Sequence, residues 1–335
     1  MLSLLLLLVG SALGGKIIID TDGLVDDARA LTLALQKQED TVEVLAITTV
    51  SSTVGIEQVV SNVNRVLRML GRSEIPVYVG SGSGLLRAQR DAAPVDHGED
   101  GLGDRPNAEP AAERSDKNTS QEKHAAVAMV ELAREHKGEV TVVCLGPLTN
   151  LALAQKLDPE FGANVRAIIA TGGNFLGVGN TQANPCAEYS FHMDPEAAHI
   201  VLNEIQAPKI ITPWETIRWR NNEQSWKFLE GPVENGLFME RKTPIASFLK
   251  SISHKSYKQS GQSFMFSDDI AVAIYLNPKV IIRSIDVSAT VELHGSHTRG
   301  EMVVDWINRD KAKNVKIIIQ YDPKIVDKMM DKAVA

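Results

Sequence analysis

Four aspartates fall within eight residues near the start of this 335-residue chain: Asp20, Asp22, Asp26 and Asp27, in the run Ile17-Ile18-Ile19-Asp20-Thr21-Asp22-Gly23-Leu24-Val25-Asp26-Asp27. Carboxylates this close repel one another, and a bound cation is the usual remedy. The chemistry implied is a divalent-metal site. An apolar run delivers the acids and a helical pattern, Ala28 to Leu35, follows them. That order places the site at the carboxyl end of the first strand of an α/β protein, where open parallel sheets keep their ligands.

The rest of the chain supplies the elements such a site needs. Strands are expected at Lys16–Asp20, Val42–Val50, Pro76–Gly80, Val140–Leu145, Val165–Ala170 and Lys209–Thr212, each a short apolar or β-branched run. Helices are expected at Asp27–Gln38, Ile56–Leu70, Leu148–Leu157, Pro195–Ile205 and Ile270–Leu276, with a β-rich tail over Val280–Tyr321 and a last helix near Pro323–Ala333. Asp194-Pro195 fits an N-cap followed by proline at the first helical position, and Thr149-Asn150 are assigned to a helix start. Strands alternating with helices predict an α/β fold with a mostly parallel central sheet and helices on both faces, a Rossmann-like open sheet. Between Asp91 and Lys123 large apolar residues almost vanish, so a long loop is expected there.

Composition narrows the function classes. Apolar residues make up 44% and charged residues 23%, which is ordinary for a globular protein, and a net charge of −7 argues against a nucleic-acid partner. Two cysteines, Cys144 and Cys186, are too few for a disulfide scaffold and read as buried thiols. Residues 1–14 form an apolar leader of signal-peptide length, too short to span a bilayer, with cleavage expected after Gly14. Asn118-Thr119-Ser120 is a glycosylation acceptor that agrees with secretion. A cytoplasmic protein is the alternative if the leader is not a signal peptide. Residues 15–335 read as a single domain.

The Asp-x-Asp-Gly end of the first strand resembles the first motif of the haloacid-dehalogenase phosphatases. On that reading Asp20 is a nucleophile toward a phosphoryl group, Asp22 works beside it, and magnesium is the cofactor. Ser267-Asp268-Asp269 can pass for the late acidic motif of that family. The doublet Asp26-Asp27 stays unexplained by it. This pair opens the next helix, where free N–H groups and the helix dipole favour carboxylates, and it points back at Asp22.

Asp20-Thr21-Asp22-Gly23-Leu24-Val25-Asp26-Asp27-Ala28 resembles the Asp-x-Asp-Pro-Gly-x-Asp-Asp-Ala signature of the inosine–uridine-preferring nucleoside hydrolases. Further segments are similar to that family in the same order. They are Leu45-Ala46-Ile47-Thr48-Thr49-Val50, His97-Gly98-Glu99-Asp100-Gly101-Leu102-Gly103, Leu145-Gly146-Pro147-Leu148-Thr149-Asn150, Ala187-Glu188-Tyr189-Ser190-Phe191 with Asp194-Pro195-Glu196-Ala197-Ala198, and Asp268 with Ala271-Val272-Ala273.

The resemblance implies the nucleoside hydrolase fold and cleavage of the N-glycosidic bond of ribonucleosides to ribose and free base, with one calcium ion. Carried over by position, Asp22, Asp27 and Asp268 supply carboxylates to calcium and Leu145 its backbone carbonyl. Asp26 is then the general base on a metal-bound water, and the substrate's 2′ and 3′ hydroxyls complete the coordination. Glu188, Ser190 and an asparagine, Asn180 or Asn184, bind the ribose, and His97 approaches the base or the loop above it. Relatives form homodimers or homotetramers, so a homo-oligomer is expected.

The chain also departs from the pattern. Gly23-Leu24 stands for Pro-Gly, Ser267 for the histidine many members carry before the late aspartate, Ser190 for an asparagine, and Ser51-Ser52 for the Gly-Asn after the second strand. These departures leave a second class open, a calcium-dependent nucleoside-binding protein with little turnover.

Overall fold

The computed structural model describes residues 15–35, 42–86, 97–109, 119–218, 236–255, 265–309 and 312–335. The leader, Asn118, Trp219 and parts of the 91–123 loop lie outside the described residues. Ten strands are named among them: β1 (Gly15–Thr21), β2 (Val42–Thr49), β3 (Val77–Val79), β4 (Val140–Cys144), β5 (Ala167–Thr171), β6 (Lys209–Thr212), β7 (Ile281–Val287), β8 (Ala289–Val291), β9 (Met302–Val304) and β10 (Val315–Tyr321). Eight of them form one sheet in the order β3-β2-β1-β4-β5-β6-β10-β7, parallel throughout except for the last pair.

The chain runs outward one way from β1 through β2 and β3, then returns to β4 and runs the other way. The strand order therefore reverses beside β1, the kind of place where open parallel sheets keep their ligands. The clustered aspartates lie at this point.

Helices cover both faces. On one lie α1 (Val25–Leu35), α2 (Ile56–Met69), α9 (Pro244–Ile252), α10 (Asp268–Leu276) and α11 (Pro323–Ala333), packed over Ile17 and Ile19. On the other lie α3 (Ala125–Glu135), α4 (Thr149–Leu157), the single turn α5 (Phe161–Asn164) and α7 (Pro195–Glu204), packed over Ile18. The short helices α6 (Tyr189–Met193) and α8 (Trp214–Arg218) fill rim connections. Side chains alternate across the strand, so the run Ile17-Ile18-Ile19 feeds both cores at once. That is why the parallel strands read as unbroken apolar runs.

Most boundaries fall within two residues of the expected ones. The expectations assign no element between Lys123 and Val140, where α3 begins at Ala125 under a cap from the His124 side chain. They also miss α9, although Thr243 caps it and Pro244 opens it. Asp194 caps α7 with Pro195 at its first position, as its sequence predicts.

Candidate active site

α1 is buried almost all round because α9, α10 and α11 close over it. Its first turn carries Asp26 and Asp27. Asp27 accepts hydrogen bonds from the Leu24 amide (3.0 Å) and the Asp22 amide (3.2 Å), and from the Thr21 hydroxyl. The carboxylate thus reaches back to the residue that precedes the helix and satisfies N–H groups the helix leaves open. It also fixes the turn joining β1 to α1. Gly23 takes φ +68°, and a Cβ there would meet Val59 at 3.1 Å, so glycine is needed at this place. With glycine first, Leu24 drops into the core.

Ligand oxygens of Asp26, Asp27 and Asp268 lie within 4.8 Å of one another, a group that can hold a metal ion. Asp268 opens α10 beyond Ser267, whose side chain makes no cap. Asp22 joins the group from the strand side. Its carboxyl packs against Gly146, where a Cβ would stand 3.0 Å away, and accepts from the Ser52 hydroxyl. Leu145, the first residue beyond β4, donates its amide to Asp20 O at 2.8 Å. The convergent trio therefore contains Asp26 as well as two of the three aspartates the resemblance assigns to metal, and Asp22 leans on it through Asp27.

Each ionised pair at about 5 Å costs about 3 kcal/mol at an effective dielectric near 20. Considering the protein groups alone, burial and then Asp27 push Asp22 well above the usual carboxylate range. Burial and then Asp26, Asp27 and Asp22 do the same to Asp268, and burial with Asp26 brings Asp27 to about 6. Asp26 differs. Burial works to raise it, but His97, Arg29, a backbone N–H and Ser267 outweigh burial and hold it below its ordinary value. It is partly exposed; the Ser267 hydroxyl donates to its Oδ2 at 3.0 Å, and His97 Nδ1 lies 3.7 Å from its Oδ1.

Asp20 has another environment. It is fully buried, and its Oδ1 accepts from the Thr48 hydroxyl (2.6 Å) and the Asn150 amide (2.8 Å). Burial lifts it to about 7 despite those bonds. A phosphoryl nucleophile must reach its substrate, and this carboxylate is enclosed among β2 and α4, which removes the phosphatase reading. Asn150 also bonds Thr49 O and accepts from the Ser81 amide, so it joins strand ends and does not cap α4. Thr149 donates to Asp194 at 2.6 Å.

Glu188 sits one strand further along, at the carboxyl end of β5. It is buried, caps α6, and accepts from the amides of Gly173 (2.7 Å), Ser190 (2.9 Å) and Phe191 (3.2 Å). Burial raises it while these amides lower it. Ser190 is buried beside it. Asn184 is buried and committed, donating to the distant Arg299 O (2.6 Å) and accepting from the Cys186 amide (3.1 Å), whereas Asn180 is exposed. Trp214 packs partly buried on the core, with the Arg218 guanidinium 4.9 Å from its ring centre. Cys144 is buried, Cys186 half-buried, and both are free thiols.

Three polar partners escaped the sequence reading: Ser52 on Asp22, Arg29 on Asp269, and Asn62, which donates to both Gly23 O (2.9 Å) and Asp100 O (2.8 Å). Asn62 ties the turn between β1 and α1 to the loop bearing His97. Buried polar residues on otherwise apolar helix faces, such as Arg29 and Asn62, are the signal that could have found two of them.

The model of the family described as inosine-uridine preferring nucleoside hydrolase matches residues 17–328. The chain belongs to that family. It is 32% identical over 313 residues to an inosine-uridine preferring nucleoside hydrolase of Leishmania major, covering 92% of this chain and 93% of the relative. It is 40% identical over 186 residues to uridine nucleosidase 1 of Arabidopsis thaliana, a match spanning 56% of this chain and 52%, about half, of that relative. A solved inosine-guanosine nucleoside hydrolase superposes with a TM-score of 0.83 at 26% identity, covering 96% of this chain and 99% of that one. The family and these neighbours are N-glycosyl hydrolases of ribonucleosides.

Proposed function

We propose that this chain hydrolyses the N-glycosidic bond of ribonucleosides to ribose and free base, with calcium at the aspartate cluster and Asp26 as the general base. The observation that carries the reading is the convergence of Asp26, Asp27 and Asp268 where the strand order reverses beside β1. Asp22, Asp27, Asp268 and the Leu145 carbonyl would hold the ion. They are hard oxygen donors of the kind calcium prefers, and a cation offsets the repulsion that otherwise drives protons onto these buried groups. Bound there, calcium supplies a Lewis acid that acidifies water and an anchor for a vicinal diol.

The chain's own groups do the rest. Asp26 stays ionised, and Ser267 fixes one of its oxygens, so the carboxylate is oriented to take a proton from water attacking C1′. The surrounding carboxylates favour the positive charge that develops on the sugar as the bond to the base breaks. Glu188 has spent three of about four acceptor positions on backbone amides and can accept one more hydrogen bond, from a ribose hydroxyl. Of the two asparagines, the exposed Asn180 is the one left to reach the sugar, since Asn184 already serves Arg299 O and the Cys186 amide.

A panel of purine and pyrimidine ribonucleosides, read by reducing-sugar release, tests the proposal. Release from at least one member, lost in Asp26→Asn while calcium binding persists, is expected. Calcium binding with no release from any member would instead establish a nucleoside-binding protein.

A further inference from the structure

Asp268 and Asp269 are neighbours on α10 with opposite surroundings. Asp268 faces the other carboxylates, whereas Asp269 is fully buried against Arg29 of α1. Arg29 donates from Nε (3.1 and 3.3 Å) and Nη2 (3.1 Å) to both oxygens of Asp269, a buried forked pairing between α1 and α10. An apolar pair of similar volume commonly serves stability as well as a buried ion pair does, so stability alone does not account for this one.

Its connections give the rest of the account. Asp269 Oδ2 also accepts from the Ser267 amide at 3.2 Å, and the Ser267 hydroxyl donates to Asp26 at 3.0 Å. Asp26 and Arg29 are three residues apart and share one face of α1. A closed circuit therefore runs from Arg29 to Asp269, to Ser267, to Asp26 and back along α1. It brackets the gap across which Asp26 and Asp27 of α1 meet Asp268 of α10.

We infer that the Arg29–Asp269 pair is a positioning clamp: it fixes α10 against α1 so that Asp268 and Asp27 stand at the separation the cation requires. The inference rests on the calcium reading above. Arg29 and Asp269 act through the ligands they hold and touch no substrate. Groups that orient metal ligands are worth roughly 10–100-fold in metal affinity.

Calorimetric calcium titration of chelator-treated full-length protein tests this, alongside melting in chelator. The variants are the double change Arg29→Met with Asp269→Leu, and the conservative Arg29→Lys, which keeps the buried charge but not the fork. Expected are a double variant that melts like the parent in chelator yet binds calcium about 10–100-fold more weakly, and an Arg29→Lys protein between the two. A folded double variant, or Arg29→Lys, binding calcium as tightly as the parent overturns the clamp while leaving the calcium site standing. Failure of the parent itself to bind calcium overturns both. If the double variant does not fold, the pair is structural in that context, and Arg29→Lys decides: unchanged affinity there rejects the clamp, and weakened affinity with an unchanged melt upholds it.

Discussion

Two groups of buried carboxylates line the same rim of the sheet and are satisfied in different ways. Beyond the end of β1, Asp26 and Asp27 converge with Asp268 of α10, and Asp22 joins them through Asp27. Beside β5, Glu188 and Glu215 each point into backbone amides, Glu215 taking those of Phe175 (3.0 Å), Leu176 (2.8 Å) and Val178 (3.3 Å). Amide donors stabilise a carboxylate without any ion, so the glutamates can shape loops by themselves. Asp27 also takes two amides and a hydroxyl, but these acids stand against one another, an arrangement that could hold a cation. Burial of acid side chains therefore does not by itself mark a candidate metal site; the convergence of acids on one another does.

The largest expected effect breaks the aspartate side outright. Chelation should reduce ribose release to background and added calcium should restore it, measured by reducing-sugar assay; undiminished release in chelator would detach the cluster from catalysis. Next is Asp26→Asn, expected to lower kcat by about 10²–10⁴-fold, the usual worth of a general base. Calcium affinity should stay within a few-fold, because the other ligands remain, and a loss of calcium in this variant would make Asp26 chiefly a ligand.

The glutamate side sharpens the contrast. Glu215→Gln keeps an oxygen for the Leu176 and Val178 amides but sets an N–H donor where Oε2 accepts from Phe175, and should cost about 1 kcal/mol of stability, seen as a lower denaturant midpoint, with calcium affinity unchanged. A calcium affinity that fell with it would mean the two groups are one site.

The smallest effect is a pH dependence. The folded pKa values of Asp22, Asp27 and Asp268 are raised, that of Asp27 to about 6, above an unfolded value near 4. The folded state then binds more protons than the unfolded one, so stability present at low pH is lost as pH rises through roughly 4 to 6 and above. In chelator, melting temperature should fall from about pH 5 to about pH 7.5, and saturating calcium should lessen that fall, leaving the part that Asp20 contributes. An identical profile with and without calcium would contradict the charge account.

Much of this was legible in the sequence, for reasons that are local. The strands are apolar because both faces of a parallel sheet are covered, and Asp26-Asp27 announces itself because its neighbours in space are also neighbours in the chain. The missing parts are contacts across long sequence separations. Arg29 meets Asp269 240 positions away, and Ser52 meets Asp22 across two strands. No spacing rule encodes such pairs. Glu188 is intermediate: its segment was recognisable, but only the fold reveals that it caps α6 and holds Gly173. The Asp20 environment was likewise invisible, since strand alternation alone does not say that Asn150 would arrive to enclose it.

Calorimetric titration of chelator-treated protein with calcium, in the parent and in Asp268→Asn, tests the central claim most directly. The account predicts one calcium per chain in the parent and a loss of at least about 10-fold in affinity in the variant, since a charged ligand is removed. A parent that takes up no calcium, or a variant that binds it equally well, would contradict it.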